Sequence, residues 1–294
     1  MNSCNYKTTC PVNKNIIINE ESTIYVIGDL HADYEKTVNL FKHFRLINHN
    51  YKWIGGDSIV VQLGDQIDGY GRGNYKDASG EIKILDFFDE MNHQAKISGG
   101  GVYSLIGNHE LMNIMGNFSY VSKEDIKQSG GSQKRKELFR PGGCMATRLS
   151  CTRNTILKIN DIIFVHAGII PEIVREHKEN TIEVVNFLMK NFFNGSLSLD
   201  NQKIKKYLID SDGVLWNRSL GKNNIDCSVV NKTLESLGAN HIVIGHTPQN
   251  VVNSKCDDKI WRVDVGLSKS LGNNHFQILE IKRQDGQNVF SVLT

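Results

Sequence analysis

No apolar run in this sequence is long enough to cross a membrane, so no membrane-spanning helix is expected. Nor does it carry an excess of charge. Its 34 Lys and Arg stand against 32 Asp and Glu, a net charge of +2. Nucleic-acid binding usually needs a clustered basic excess, so no nucleic-acid partner is expected. The opening stretch from Met1 to Thr8 lacks a basic region followed by an apolar one, and with no signal segment the expected compartment is the cytoplasm. The six cysteines, Cys4, Cys10, Cys144, Cys151, Cys227 and Cys256, show no C-x-x-C spacing. That argues against a zinc ribbon and against a small disulfide framework, and reduced thiols are expected. What is present, 39% apolar and 22% charged residues over 294 positions, describes an ordinary globular protein with ample core.

Strand, loop and helix recur along the chain. Thr23 to Ile27 is a β-rich run followed by Gly28-Asp29-Leu30-His31-Ala32-Asp33, and a helix fits Tyr34 to Leu46. Ser58 to Leu63 reads as a second buried strand ending in Gly64-Asp65-Gln66-Ile67-Asp68-Gly69, and Glu81 to Ala95 as an amphipathic helix. Val102 to Ile106 is a third strand, with Gly107-Asn108-His109-Glu110 as the loop at its end. This order implies parallel strands with right-handed crossovers, whose C-terminal loops are where such sheets place ligands. Periodicity fades over 116–155, read as a lid-like insertion whose Lys134-Arg135-Lys136 is a solvated face. A hairpin over 155–165 delivers His166, helices fit 171–193 and 200–209, and Ser228 can cap a helix ending at Leu237. His241 to Ile244 delivers Gly245-His246, and antiparallel strands fit 260–265, 275–281 and 288–293. Residues 1–20 are expected to be a polar tail and 21–294 a single catalytic domain.

Five strands thus end in Asp29 and His31, Asp65, Asn108 and His109, His166, and His246. Oxygen and imidazole donors without thiolates suit Mn, Fe or Zn. Asp29-x-His31 would put two side chains on one side of an extended stretch. Asp65 lies where a carboxylate could bridge two metals ~4 Å apart. His109 offers an imidazole able to act as an acid near neutral pH.

The blocks G-D-L-H-A-D, G-D-Q-I-D-G, G-N-H-E, H-A-G and G-H-T-P, in this order, resemble those of the calcineurin-like metallophosphoesterases. His109-Glu110 and Thr247-Pro248 resemble the phosphoprotein phosphatase branch. Pro141-Gly142-Gly143 with Arg148, Trp216-Asn217-Arg218 and Trp261 to Gly266 look like its bacterial-type Shewanella-like members. The resemblance spans roughly 22 to 282. It implies a four-layer α/β/β/α sandwich of two mixed sheets flanked by helices, and hydrolysis of phosphate monoesters on phosphotyrosine or phosphoserine/threonine proteins or peptides.

It also implies two divalent cations, manganese first and Fe or Zn otherwise. Asp29 and His31 would hold one, Asn108, His166 and His246 the other, and Asp65 both. A metal-bridging hydroxide would attack phosphorus, with His109 as general acid and Asp68 orienting its ring. Asp33, Glu110 and Asp264 would orient the ligands. One position departs from the family pattern, which reads G-D-x-x-D-R-G and grips phosphate through its Arg: here it is Gly69. Arg218 matches the other phosphate-gripping position. Arg72 and Arg148 are candidates to replace the missing one, although Arg72 reads somewhat better as an exposed loop cation. The rival readings are a dinucleoside polyphosphate hydrolase, using Arg72, Arg140 and Lys134, and a non-catalytic phosphoprotein-binding pseudophosphatase.

Overall fold

Three short runs, β1 (Ile24–Ile27) and β2 (Ile59–Gln62), rich in β-branched residues, and β3 (Gly101–Leu105), lie parallel in one sheet. The computed structural model describes residues 16, 18, 22–272 and 275–294. The tail expected over 1–20 lies outside them, apart from Ile16 and Ile18. All four residues of β2 are buried, because both faces of the sheet are covered. α1 (Tyr34–His43) and α2 (Glu81–Ile97) return the chain between these strands. α1 begins where the Asp33 carboxylate accepts the Lys36 N–H, and α2 buries Ile84, Leu85, Phe88 and Met91 at helical spacing.

β3 runs straight into α3 (Asn108–Ile114), a helix where the sequence suggests a loop. The segment without periodicity also proves helical. It forms α4 (Lys123–Gln128), α5 (Ser132–Phe139) and α6 (Cys144–Thr152), packed into the body with Arg135 and Phe139 buried. The basic triplet therefore splits: Lys134 and Lys136 are exposed, whereas Arg135 is 0% exposed.

β4 (Arg153–Asn154) extends the first sheet beyond β3. β5 (Ile156–Ile159) and β6 (Ile162–Val165) form the expected hairpin and open a second sheet. Their residues alternate between two cores: Leu157 and Phe164 join the one around β1, β2 and α1, whereas Ile156, Ile163 and Val165 join the other. The helix expected over 171–193 is broken into α7 (Pro171–Val174) and α8 (Thr181–Phe193), because Lys178 between them takes a left-handed φ of 48°. α9 (Gln202–Ile204) continues as a π-helical turn. α10 (Cys227–Leu237) is capped by Asp226, which accepts the Ser228 N–H, so the expected cap at Ser228 is two residues late. The helix ends at Leu237 as expected, with Gly238 at φ 57° after it.

β7 (His241–Ile244), β8 (Asn253–Lys255) and β9 (Ile260–Arg262) complete the second sheet, in the order β5-β6-β7-β9-β8. β10 (Ile278–Gln284) pairs antiparallel with β1, and β11 (Gln287–Leu293) closes the first sheet, ordered β11-β10-β1-β2-β3-β4. The result is the expected pair of mixed sheets flanked by helices. No described helix is long and apolar enough to cross a membrane.

The cysteines correct the expectation of reduced thiols. Cys227 at the start of α10 is bonded to Cys256 in the turn between β8 and β9, with 5.4 Å between their Cα atoms. Cys144 and Cys151 are disulfide-bonded too. A separation of 29 residues gives no spacing signal; only the packing of α10 beside the second sheet brings that pair together.

Candidate metal centre

The loops that follow β1, β2, β3, β6 and β7 converge where the carboxyl ends of the two sheets meet. They are tied to one another by backbone hydrogen bonds. The Leu30 and His31 N–H groups both donate to the Asp65 carbonyl, at 3.0 and 2.9 Å. The Glu110 carboxylate accepts from the N–H groups of Asp65, Gln66, Ile67 and Gly107, so one side chain fixes two loops. Asp33 joins α1 to the loop after β9 by accepting the Lys269 N–H at 2.8 Å. The glycines before Asn108 and His246 are a matter of room. A Cβ on Gly107 would stand 2.1 Å from Asp65 Oδ1, and one on Gly245 would stand 2.6 Å from Asp29 Oδ1.

Asp29, His31, Asp65, Asn108, His109, His166 and His246 are all buried. The Asp29-x-His31 pair is not extended as the sequence suggests. His31 turns into the left-handed region at φ 41°, as do Asp65 (52°), Asp68 (69°) and His246 (65°). Strain of this kind is held by the surrounding loops and collects where side chains must be aimed. Two clusters result, His31 with Asp65 and His109, and Asp65 with His166 and His246, the ligand atoms of each lying within 4.8 Å of one another. Asp65 is common to both.

The donors fit cations. His31 Nδ1 and His246 Nε2 are buried without a hydrogen-bond partner. His166 Nδ1 donates to the Leu63 carbonyl at 2.8 Å. In the neutral ring Nε2 then carries a lone pair, which faces Asn108 Oδ1 at 2.9 Å and Asp65 Oδ2 at 3.4 Å. Three acceptors turned on one point call for a positive charge between them. Burial lowers the His166 pKa, but Asp65 outweighs it and raises it. Burial, and then His166, push His246 down to about 3. Burial, and then His109, hold His31 well below its ordinary range. Burial raises Asp65, yet His166 and His109 outweigh it and keep the carboxylate ionised. Neutral rings at His31 and His246 beside an ionised Asp65 are the protonation states that ligation requires. Asp29 is raised by burial, Asp264 and Asp65, a crowding of negative charge that bound cations relieve.

His109 lies in the first cluster, but its ring is committed elsewhere. Nδ1 is 2.7 Å from Asp68 Oδ2, and Nε2 is 3.2 Å from Arg72 Nη2. Burial works against its protonation, but Asp65 and the hydrogen-bonded Asp68 prevail and raise its pKa. A cavity of about 110 Å³ opens between Asp29, His31, Asp65, His109, His246 and the two guanidinium-bearing residues Arg72 and Arg218. Arg218 is held by donating to the His246 carbonyl at 3.1 Å. Arg72 is half-buried, lies over the Tyr120 ring at 5.2 Å, and leaves Nη1 buried without a partner. It is not the exposed cation that a loop position suggests. Gly69 cannot take the family's arginine, since a Cβ there would meet the Ala78 carbonyl oxygen at 2.2 Å. A larger crevice of about 560 Å³, beside Asp161 and Gln287, contains none of these residues.

Arg148 does not join the site. It is paired with Asp86 and Asp89 of α2 at 2.7 Å each, and is corrected to a tie between α6 and α2. Lys134 pairs with Glu137, and Arg140 reaches the Pro141 carbonyl, so neither stands at the cavity. Tyr120, whose ring lies 5.1 Å from that of His109, is a cavity neighbour the sequence did not single out. It sits where periodicity fades and carries no local signal.

The model of the calcineurin-like phosphoesterase family matches residues 22–250. The chain is 29% identical to Shewanella-like protein phosphatase 2 of Arabidopsis thaliana, over 90% of this chain and 76% of that protein. It is 29% identical to Shewanella-like protein phosphatase 1 of Plasmodium berghei, over 83% of this chain and 67% of that one. The crystal structure of the cold-active protein-tyrosine phosphatase of a psychrophilic Shewanella species superposes with a TM-score of 0.81. It is 23% identical, covering 97% of this chain and 83% of that chain.

Proposed function

This chain belongs to the calcineurin-like phosphoesterase family and is a metal-dependent phosphoester hydrolase, and from that premise we propose that it dephosphorylates protein side chains at a two-cation centre. The observation behind two cations is Asp65, shared by both ligand clusters. Asp29 and His31 would hold the first cation, Asn108, His166 and His246 the second, and Asp65 both. When bound, such cations polarise phosphoryl oxygens and lower the pKa of water. Arg218 and Arg72 grip the phosphate from the chain's side, each with a planar fork suited to its oxygens. Here Arg72 Nη2 donates to His109 Nε2; with Arg72 turned to the phosphate, Nε2 would carry a proton and give it to the leaving oxygen, while Asp68 fixes the ring through Nδ1. The protein substrate rests on the relatives, which are named as protein phosphatases. Its disulfides favour an oxidising compartment over the cytoplasm expected from the sequence.

The test is phosphate release from matched phosphotyrosine and phosphoserine peptides, with Mn²⁺ and with chelator. Turnover is expected with Mn²⁺ and is expected to vanish with chelator, and the faster peptide identifies the substrate class. If neither peptide is hydrolysed, the protein phosphatase reading is wrong. The dinucleoside polyphosphate reading loses two of its three cations for a second phosphate group, since Lys134 and Arg140 are engaged at the surface.

Arg72→Ala is expected to weaken phosphate binding by ~1.5–3 kcal/mol, the scale of a hydrogen bond to a charged group. That is about 10- to 150-fold in the inhibition constant for inorganic phosphate. An unchanged constant would return Arg72 to the role of a loop cation.

A further inference from the structure

α5 presents one buried cation, and it lies behind the general acid. Arg135 is enclosed between the rings of Phe139 at 4.5 Å and Phe118 at 5.5 Å, with none of its surface exposed. Its Nη1 donates to Glu81 Oε2 at 2.7 Å and to Ser129 Oγ at 3.1 Å. Nε and Nη2 both donate to Asn113 Oδ1, at 2.9 and 2.7 Å. Asn113 in turn donates through Nδ2 to Asp68 Oδ1 at 2.8 Å. Glu81 closes the circuit by accepting the Asp68 N–H at 3.0 Å. Asp68 itself is in the left-handed region, at φ 69°.

Both oxygens of Asp68 are therefore directed. Oδ2 meets His109, and Oδ1 meets Asn113 with Arg135 Nη2 3.9 Å away. A buried carboxylate needs opposite charge and hydrogen-bond donors around it. Arg135 supplies the compensating charge, and its planar fork fixes the Asn113 amide so that Nδ2 points at Asp68. A lysine could supply the charge but not the fork.

We propose that Arg135 is a positioning residue for the reaction, acting through Asn113 and Asp68 on His109. The inserted segment thus contributes to proton delivery from behind the site. This rests on the phosphomonoesterase reading above. The experiment compares kcat on 4-nitrophenyl phosphate, an activated substrate, with kcat on phenyl phosphate, whose leaving group has a pKa of about 10, as for tyrosine. Arg135→Met and Asn113→Ala are each expected to lower kcat on phenyl phosphate by about 10- to 100-fold, the scale of outer partners at such sites. The nitrophenyl ester should change far less, with metal content retained. In a His109→Asn background neither substitution should lower kcat further, because the group they position is gone.

Equal losses on both esters, or losses that persist beside His109→Asn, would overturn the proposal and leave Arg135 a structural pillar. If Arg135→Met does not fold, Asn113→Ala decides, since it breaks the link to Asp68 and leaves the Arg135–Glu81 pair in place. Absence of turnover by the unaltered protein on both esters would instead count against the phosphomonoesterase reading.

Discussion

Asp65→Asn abolishes turnover and lowers the metal content of the purified protein: this is the largest effect the structure leads us to expect. The substitution keeps the shape of the side chain and removes its charge. Asp65 Oδ1 accepts the His109 N–H at 2.9 Å, and an amide oxygen can do the same, so the loop is kept. Oδ2 is the atom both clusters share, 3.9 Å from His31 Nε2 and 3.4 Å from His166 Nε2. With an amide there, neither cluster has an ionised oxygen at its centre. The loss should exceed the ~10²–10⁴-fold that a general acid contributes, because nucleophile and electrophile fail together. Elemental analysis of the purified variant beside its kcat checks this. Full metal occupancy with more than about one per cent of the unaltered rate, a loss smaller than that of an acid alone, would remove Asp65 from the bridging role.

His109→Asn is the second. Its effect should be split rather than total. The side chain has no hydrogen bond to a proposed ligand, with Nδ1 on Asp68 and Nε2 beside Arg72, so metal content should hold. For an alkyl phosphate such as phosphoserine, whose leaving oxygen needs a proton, kcat should fall ~10²–10⁴-fold. For an activated aryl phosphate, whose leaving group departs as the anion, the fall should be much smaller. Matched kcat values on the two substrates check this, and equal losses on both would take the acid role away from His109.

The metal ligands were legible because they cluster after short, largely apolar strands, and Asp29, Asp65, Asn108 and His246 each stand directly after a glycine. Both features are local and repeat. Strands β1, β2, β3 and β7 were found within a residue or two for the same reason. α3 was not, because its first residues are the motif itself and its remaining positions are buried on every side, leaving no amphipathic period to read. α5 was missed for a related cause. Its inward residue is an arginine, which a hydrophobic pattern counts as surface, and only the carboxylate and amide awaiting it in α2 and α3 make it core. The Cys227–Cys256 bond and the Arg148 pairing with α2 depend on contacts between distant segments and have no signature in spacing. Arg72 lay between: the sequence offered it as a candidate, and the collision at Gly69 explains why the cation stands three residues later.

β1 lies between β2 and β10, with Ile24 paired to Ile59 on one side and Ile281 on the other. On a ribosome this means that the oldest strand of the first sheet waits with one edge bare until the newest part of the chain arrives. The proposed ligands are made in the same sequence, from Asp29 to His246, so a nascent chain holds an incomplete ligand set for most of its synthesis. Pairings this distant close slowly, and an uncovered strand edge is open to association with other chains. The late hairpin β10–β11 is therefore the latch of the first sheet, and the nascent chain up to that point is the stretch of its life in which a chaperone has most to protect.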